Sequence, residues 1–161
     1  MTELRRLAVT DAPAYFNLVE RSQDGLQIFP WIRDFDLEKA EDRITRRVSI
    51  NKQNTITLYG IFKDDLLVGS VEVDHKNARL DGHELGYFMD DQHRNCGYMK
   101  EALTKVIELH KDESPYYADV LDDNAASLWL LWGLGFKEDY RWKKDANSAT
   151  FVRLVYKRHL S

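Results

Sequence analysis

The sequence predicts a single α+β domain built on a mixed, mostly antiparallel sheet. Three observations carry this. Two short apolar runs, 55–62 and 66–73, flank Lys63-Asp64-Asp65, a hairpin signal. A strand, a polar loop and a helix follow over 84–110, and the next strand-like run is Tyr116–Leu121. A strand reached through a covering helix most economically lies parallel to the strand before it. Finally, Phe136–Trp142 and Thr150–Lys157 bracket a polar turn at Asp145-Ala146-Asn147, which reads as a closing hairpin.

Composition bounds the function. At 161 residues the chain suits one domain, residues 1–161, with a sizeable core. A net charge of −4 argues against a nucleic-acid binder and is compatible with a cationic small molecule or basic peptide. Cys96 is the single cysteine, so no intrachain disulfide forms and zinc sites on thiolate pairs are excluded. The first residues lack the pattern of a signal peptide, and the apolar run Leu128–Phe136 is too short to span a bilayer. A cytoplasmic protein with no membrane partner is expected, as monomer or homodimer.

Taken in order, residues 1–9 form a first strand through Leu4, Leu7 and Val9. Thr10 caps a helix with Pro13 in its first turn, where the missing N–H is harmless. Tyr15, Phe16, Leu18 and Val19 are its buried stripe, and it stops near Gly25. A loop, Leu26–Phe35, carries Phe29-Pro30-Trp31, aromatics that either fold back onto the core or wall a cleft. Asp36 caps a second helix to Ser49, with Leu37, Ala40, Ile44 and Val48 inward and Arg43, Arg46 and Arg47 on a solvated outer face. Ser114-Pro115 leads into the 116–121 strand. Asn124 or Asp123 caps the last helix and Gly135 ends it.

The stretch 84–102 organises the chain. Residues 85–89 are strand-like, Asp90–Asn95 is polar and turn-prone, and from Tyr98 the apolar positions Met99, Ala102, Leu103, Val106 and Ile107 repeat with helical spacing. A loop opening a helix aims unpaired N–H groups and the positive end of the helix dipole at one point, which suits a phosphate. Gly97 stands where backbone approach is needed, and Arg94 and Lys100 add positive charge. The same spacing also fits a surface connection whose amides face water.

Gln92-His93-Arg94-Asn95-Cys96-Gly97 resembles the Gln/Arg-x-x-Gly-x-Gly/Ala signature of the GNAT acetyltransferase superfamily. The flanking Glu84-Leu85-Gly86-Tyr87 and Met99-Lys100-Glu101-Ala102 are similar to its ribosomal-protein N-acetyltransferase-like (RimJ/RimL-type) branch. Asn124-Ala125-Ala126-Ser127, followed by Leu134-Gly135-Phe136, resembles a further family segment. The family's first loop glycine is Asn95 here, a residue that tolerates left-handed backbone angles.

The resemblance implies helices on both faces of the sheet, splayed parallel strands in its middle, and acetyl-CoA as donor without a metal. It places the pyrophosphate on Gln92, His93, Arg94, Asn95, Cys96, Gly97, Tyr98 and Met99, and the pantetheine or carbonyl near Phe88, Met89, Asp90 and Asn124. Phe29 and Trp31 match the aromatic positions of the branch's acceptor loop.

Acetyl transfer to an amine requires proton removal from the nitrogen and protonation of the departing thiolate. Glu84 is the candidate base, its alternatives being a solvated strand-start glutamate or a structural ion pair, and His83 points to the opposite face. Where many family members carry an acidic tyrosine this chain has Leu131, and Ser127 matches the serine given that role in the RimJ/RimL-like branch. Ser127 also suits a helix cap. A covalent role for Cys96 would need a base, and His93 is three residues away. The five histidines show no metal-ligand spacing. The expected activity is acetyl transfer to a protein N-terminus or small-molecule amine. Polyamine, aminoglycoside or amino-acid acetylation, and a CoA-binding module with little catalysis, remain open beside it.

Overall fold

A computed structural model describes residues 2–26, 29–48, 56–75, 81–113 and 115–157. The strands are β1 (Glu3–Arg6), β2 (Ile56–Lys63), β3 (Leu66–Asp74), β4 (His83–Met89), β5 (Tyr116–Leu121), β6 (Lys137–Lys143) and β7 (Thr150–Tyr156). They form one seven-stranded sheet in the order β1-β2-β3-β4-β5-β7-β6. Only β4 and β5 run parallel.

The β2–β3 hairpin turns on Asp64 (φ 48°) and Asp65 (φ 65°). Positive φ at both central residues gives the turn a twist that matches the flanking strands. The closing hairpin forms as read, except that β7 pairs with β5 and leaves β6 at the edge.

Helices α1 (Ala12–Arg21), the short α2 (Gln23–Leu26) and α3 (Leu37–Val48) precede the meander, and α4 (Tyr98–Leu109) and α5 (Ala125–Gly133) follow it. Strand alternation sorts the core into two layers. Leu85, Met89, Tyr116, Ala118 and Val120 pack with Met99, Leu103 and Val106 of α4 and Leu128 and Leu131 of α5. On the opposite face Tyr15, Leu18 and Val19 of α1 and Ala40 and Ile44 of α3 cover Leu58, Phe62 and Leu67. The arrangement is the α+β sandwich expected, with helices on both faces.

Several local expectations are corrected. The first strand stops at Arg6, and Val9–Asp11 makes a 3-10 turn, so Thr10 lies inside that turn and Asp11 takes the N-cap position of α1. Asp11 is recruited instead by Arg5, whose guanidinium holds its carboxyl below the usual range. Arg21 ends α1, and α2 carries the chain through Gly25 to the buried Leu26. Phe16 is only partly buried and Leu37 is exposed.

Arg43 and Arg47 do not lie on a solvated face. Both turn toward Glu72 of β3, and only Arg46 of the three is exposed. Positions 43 and 47 adjoin the buried 40/44 stripe on a helix, so a carboxylate on the sheet draws them inward. The expected boundaries at Ser49, Thr55 and Ser114 lie outside the described residues, as does the side chain of Val48.

Candidate active site

β4 and β5 pair only at His83–Tyr116 and Glu84–Tyr117. Beyond Glu84 the strands part, and the β5-facing edge of β4 has no strand partner among the described residues. Backbone polar groups left without a ladder partner are available to a ligand. This wedge runs from Glu84 toward the loop at the head of α4.

The loop is pinned from below. Asp90 is buried, and its carboxylate lies 3.3 Å from Arg21 Nε while accepting from His93 N–H (2.9 Å) and pairing with His93 Nδ1 (2.7 Å). Arg21 also donates to the Leu67 carbonyl at 2.6 Å. The Asp90 N–H donates to the Val68 carbonyl (2.9 Å). Asp90 therefore anchors the loop, and its amide is not available to a carbonyl as expected. The side chains of Met89 and Met99 are likewise core residues.

Above this anchor, Asn95 (φ 61°) and Gly97 (φ 81°) both take left-handed backbone. Asn95 thus takes the left-handed angle that its residue type tolerates. A Cβ on Gly97 would meet nothing within 4 Å, so the space over it is open. Gly97 is the N-cap of α4 and brings no side-chain cap, and the first helical bond is Glu101 N–H to the Gly97 carbonyl. The N–H groups of Tyr98, Met99 and Lys100 precede that bond and point outward. Gln92, Arg94 and Cys96 are exposed, with Arg94 2.9 Å from Asp91.

Ser127 sits in the first turn of α5, where its N–H donates to Asn124 Oδ1 (3.2 Å). Asn124 is therefore the cap, and its Nδ2 remains to reach a ligand. The Ser127 hydroxyl hydrogen-bonds the Tyr87 hydroxyl. Burial pushes the Tyr87 phenol up to about 12. Leu131, where a tyrosine acid would stand, is fully buried. Sequence reasoning missed Tyr87 as a partner of Ser127. The signal was present, because alternation along β4 puts Tyr87 on the same face as Leu85 and Met89, the face α5 covers.

Glu84 points to the other face of β4, partly buried, and its charge acts on Arg153. Arg153 makes a bidentate pair with Asp119, 2.8 Å on each side. Glu84 and Ser127 thus stand on opposite faces of the sheet, with the wedge between them. Asp81 accepts from the neighbouring Tyr117, whose phenol is raised to about 12 by burial and by that carboxylate.

Trp31 lies in an aromatic cluster with Phe29, Phe35 and Phe88, and Arg43 stacks 3.9 Å from its ring centroid. Phe29 and Trp31 wall a cavity floored by Ser70, Glu72 and Arg43 and bordered by Gly86, Tyr87 and Phe88. Of the two ring positions expected to pack on the core or wall a cleft, Trp31 packs against the core and lines this cavity, while Phe29 lines it from an exposed position. Glu72, Arg43 and Ser70 line this cavity, a placement that sequence reasoning missed.

Folding gathers histidines that are far apart in sequence. His75 lies 5.3 Å from His83 and 4.9 Å from His110 between ring centroids. Thr57 Oγ1 and Tyr59 OH sit 2.8 and 2.9 Å from the Nε2 atoms of His75 and His110. Among the described residues no group of three or more His, Cys, Asp or Glu has the geometry to hold a metal. No helix among them is long and apolar enough to cross a membrane.

Comparison with known proteins agrees with this architecture. The chain is 30% identical over 149 residues to the probable N-acetyltransferase YjcK of Bacillus subtilis, covering 84% of this chain and 80% of that protein. The acetyltransferase of Salmonella typhimurium that modifies the N-terminal serine of ribosomal protein L7/L12 superposes with a TM-score of 0.84 at 16% identity, covering 98% and 95% of the two chains. RimJ of Mycobacterium smegmatis, solved with CoA-disulfide, gives 0.80 at 16% identity over 97% and 81%. Residues 2–137 match the family described as Acetyltransferase (GNAT) domain. With that match spanning most of its length, the chain belongs to the GNAT acetyltransferase family and is an N-acetyltransferase.

Proposed function

We propose that residues 1–161 act as one acetyl-CoA-dependent N-acetyltransferase domain working inside the cell. Its pyrophosphate site is the loop Gln92–Tyr98, and its pantetheine channel is the β4–β5 wedge with Asn124 at the rim. One observation carries this reading. The unpaired edge of β4 leads directly to an uncapped helix N-terminus with open space over Gly97. Although the family match ends at residue 137, β7 pairs between β5 and β6 and completes the same sheet.

In this reading the acceptor enters from the face of Phe29, Trp31 and Glu84. Glu84 takes a proton from the amine, directly or through water. The amine nitrogen attacks the thioester carbonyl carbon, and the C–N bond forms as the C–S bond breaks. Tyr87, held protonated by burial, donates to Ser127 and turns the serine's own proton toward the departing sulfur. The products are an N-acetylated amine and the CoA thiol, and the cycle closes when Glu84 releases its proton to solvent and solvent returns one to Ser127. No step uses a metal or Cys96.

The test is calorimetric titration with acetyl-CoA beside dephospho-CoA, followed by thiol release with a panel of amines. Micromolar binding, about −8 kcal/mol, is expected. Glu84→Gln keeps that affinity and loses turnover at neutral pH. Full turnover in Glu84→Gln removes Glu84 from the mechanism, and tight binding with no turnover on any amine leaves a CoA-binding module.

A further inference from the structure

The aromatic-walled cavity has a polar floor of unusual sign. Ser70 and Glu72 of β3 stand opposite Phe88 and Gly86 of β4, and Arg43 reaches over them from α3. Arg43 donates to Glu72 Oε1 (2.6 Å) and to Tyr15 OH (3.1 Å). Arg47 Nε lies 3.2 Å from the same Glu72 oxygen. Arg43 and Arg47 are thus gathered around one carboxylate, and burial lowers the Arg47 guanidinium.

A partly buried charge that lacks a counter-charge is costly, so a site of net positive sign favours an anion. Two donors are open to it. The third guanidinium nitrogen of Arg43, Nη1, makes no hydrogen bond among the described residues. Ser70 is 1% exposed, lines the cavity, and its hydroxyl has no hydrogen-bond partner among the described residues. A buried hydroxyl without a partner is uncommon and points to a missing ligand group. Gly86 leaves the backbone beside it uncovered, with nothing within 4 Å of an added Cβ. The cavity encloses about 60 Å³, room for a group of a few heavy atoms.

We infer that the acceptor is an amine carrying a small anionic group, a carboxylate or a compact phosphonate, received by Arg43 and Ser70 while Trp31 and Phe29 flank its carbon skeleton. The chain's net charge of −4 would favour a cationic partner at long range, so the pocket reverses the sign that composition suggests. This inference rests on the acetyl-transfer reading above.

Thiol release is measured with aminocarboxylates, their carboxamides and aminoalkylphosphonates of matched chain length. At least one anionic arm is expected to exceed the carboxamides about tenfold or more in kcat/KM, and the better arm identifies the anion. Arg43→Gln is expected to erase that ratio while acetyl-CoA affinity stays unchanged. Ser70→Ala is expected to raise the anionic acceptor's KM several-fold without lowering Tm, because its hydroxyl bonds nothing among the described residues. Equal use of anionic and amide acceptors by the native protein overturns the inference and leaves acetyl transfer standing, as does a ratio unchanged in both variants. Absent acetyl-CoA binding, or no thiol release with any amine, overturns both.

Discussion

The hydroxyls of Tyr87 and Ser127 hydrogen-bond to each other across the opening between β4 and α5. One residue comes from the strand that starts the wedge and the other from the helix that closes it. In the proposed mechanism the tyrosine is thus supplied by the sheet, while Leu131 fills the core.

If Ser127 protonates the leaving thiolate and Tyr87 orients it, the two act as a unit. Ser127→Ala is expected to lower kcat about 10²-fold, and Tyr87→Phe about tenfold. The double variant should be little worse than Ser127→Ala. Steady-state kinetics at saturating acetyl-CoA decide this, and fully additive losses would separate the two hydroxyls.

Gly97→Ala places a Cβ in a left-handed position (φ 81°) and in the open space over the loop. The strain alone is about 1 kcal/mol. Calorimetry should show acetyl-CoA affinity falling tenfold or more. Asn95 already holds a left-handed angle that glycine would adopt freely. Asn95→Gly is accordingly expected to change affinity by no more than about threefold.

Asp90→Ala removes the carboxylate that ties the loop to α1 through Arg21. Arg21 is 34% exposed and can partly rehydrate, which keeps the cost below that of a fully buried pair. A loss of about 2 kcal/mol in chemical denaturation is expected, together with weaker acetyl-CoA binding. Native-like stability would show that the loop holds itself.

Tyr15, Tyr87 and Tyr117 are each pushed up to about 12, burial being the largest cause in every case. A raised folded value means the native state keeps protons that the unfolded chain has released. Their contribution is complete below about pH 10 and is lost as pH rises toward 12. Tyr15 is fully buried and should account for a fall on the order of 2 kcal/mol over that window. Denaturation curves at pH 9 and pH 11.5, compared with Tyr15→Phe, isolate it, and a parallel decline in the variant would refute the assignment.

Much of the site could be read from local pattern. The 84–102 text specifies a strand, a turn-prone loop and a helix, because alternation, loop polarity and helical spacing act over a few residues. Asn124 as a cap and Gly135 (φ 99°) past the end of α5 follow from the same short-range chemistry. The arginines of α3 were misread for an equally local reason. Periodicity marks polar positions as outward unless a partner is known, and that partner, Glu72, lies 29 residues from Arg43.

The sequence by itself therefore determined the order of elements, the meander and the polar loop that opens α4. These depend on backbone preferences and on which side chains must leave water. Tertiary structure alone decided how far β4 and β5 stay paired, which hydroxyl meets Ser127, and the sign of charge under the aromatic wall. Those outcomes depend on side chains 29 to 69 residues apart meeting at one place, as Arg43 meets Glu72, Tyr87 meets Ser127 and Arg21 meets Asp90. No local propensity encodes such distances. They are set when two layers of helices close on the sheet and every buried charge must find its counterpart.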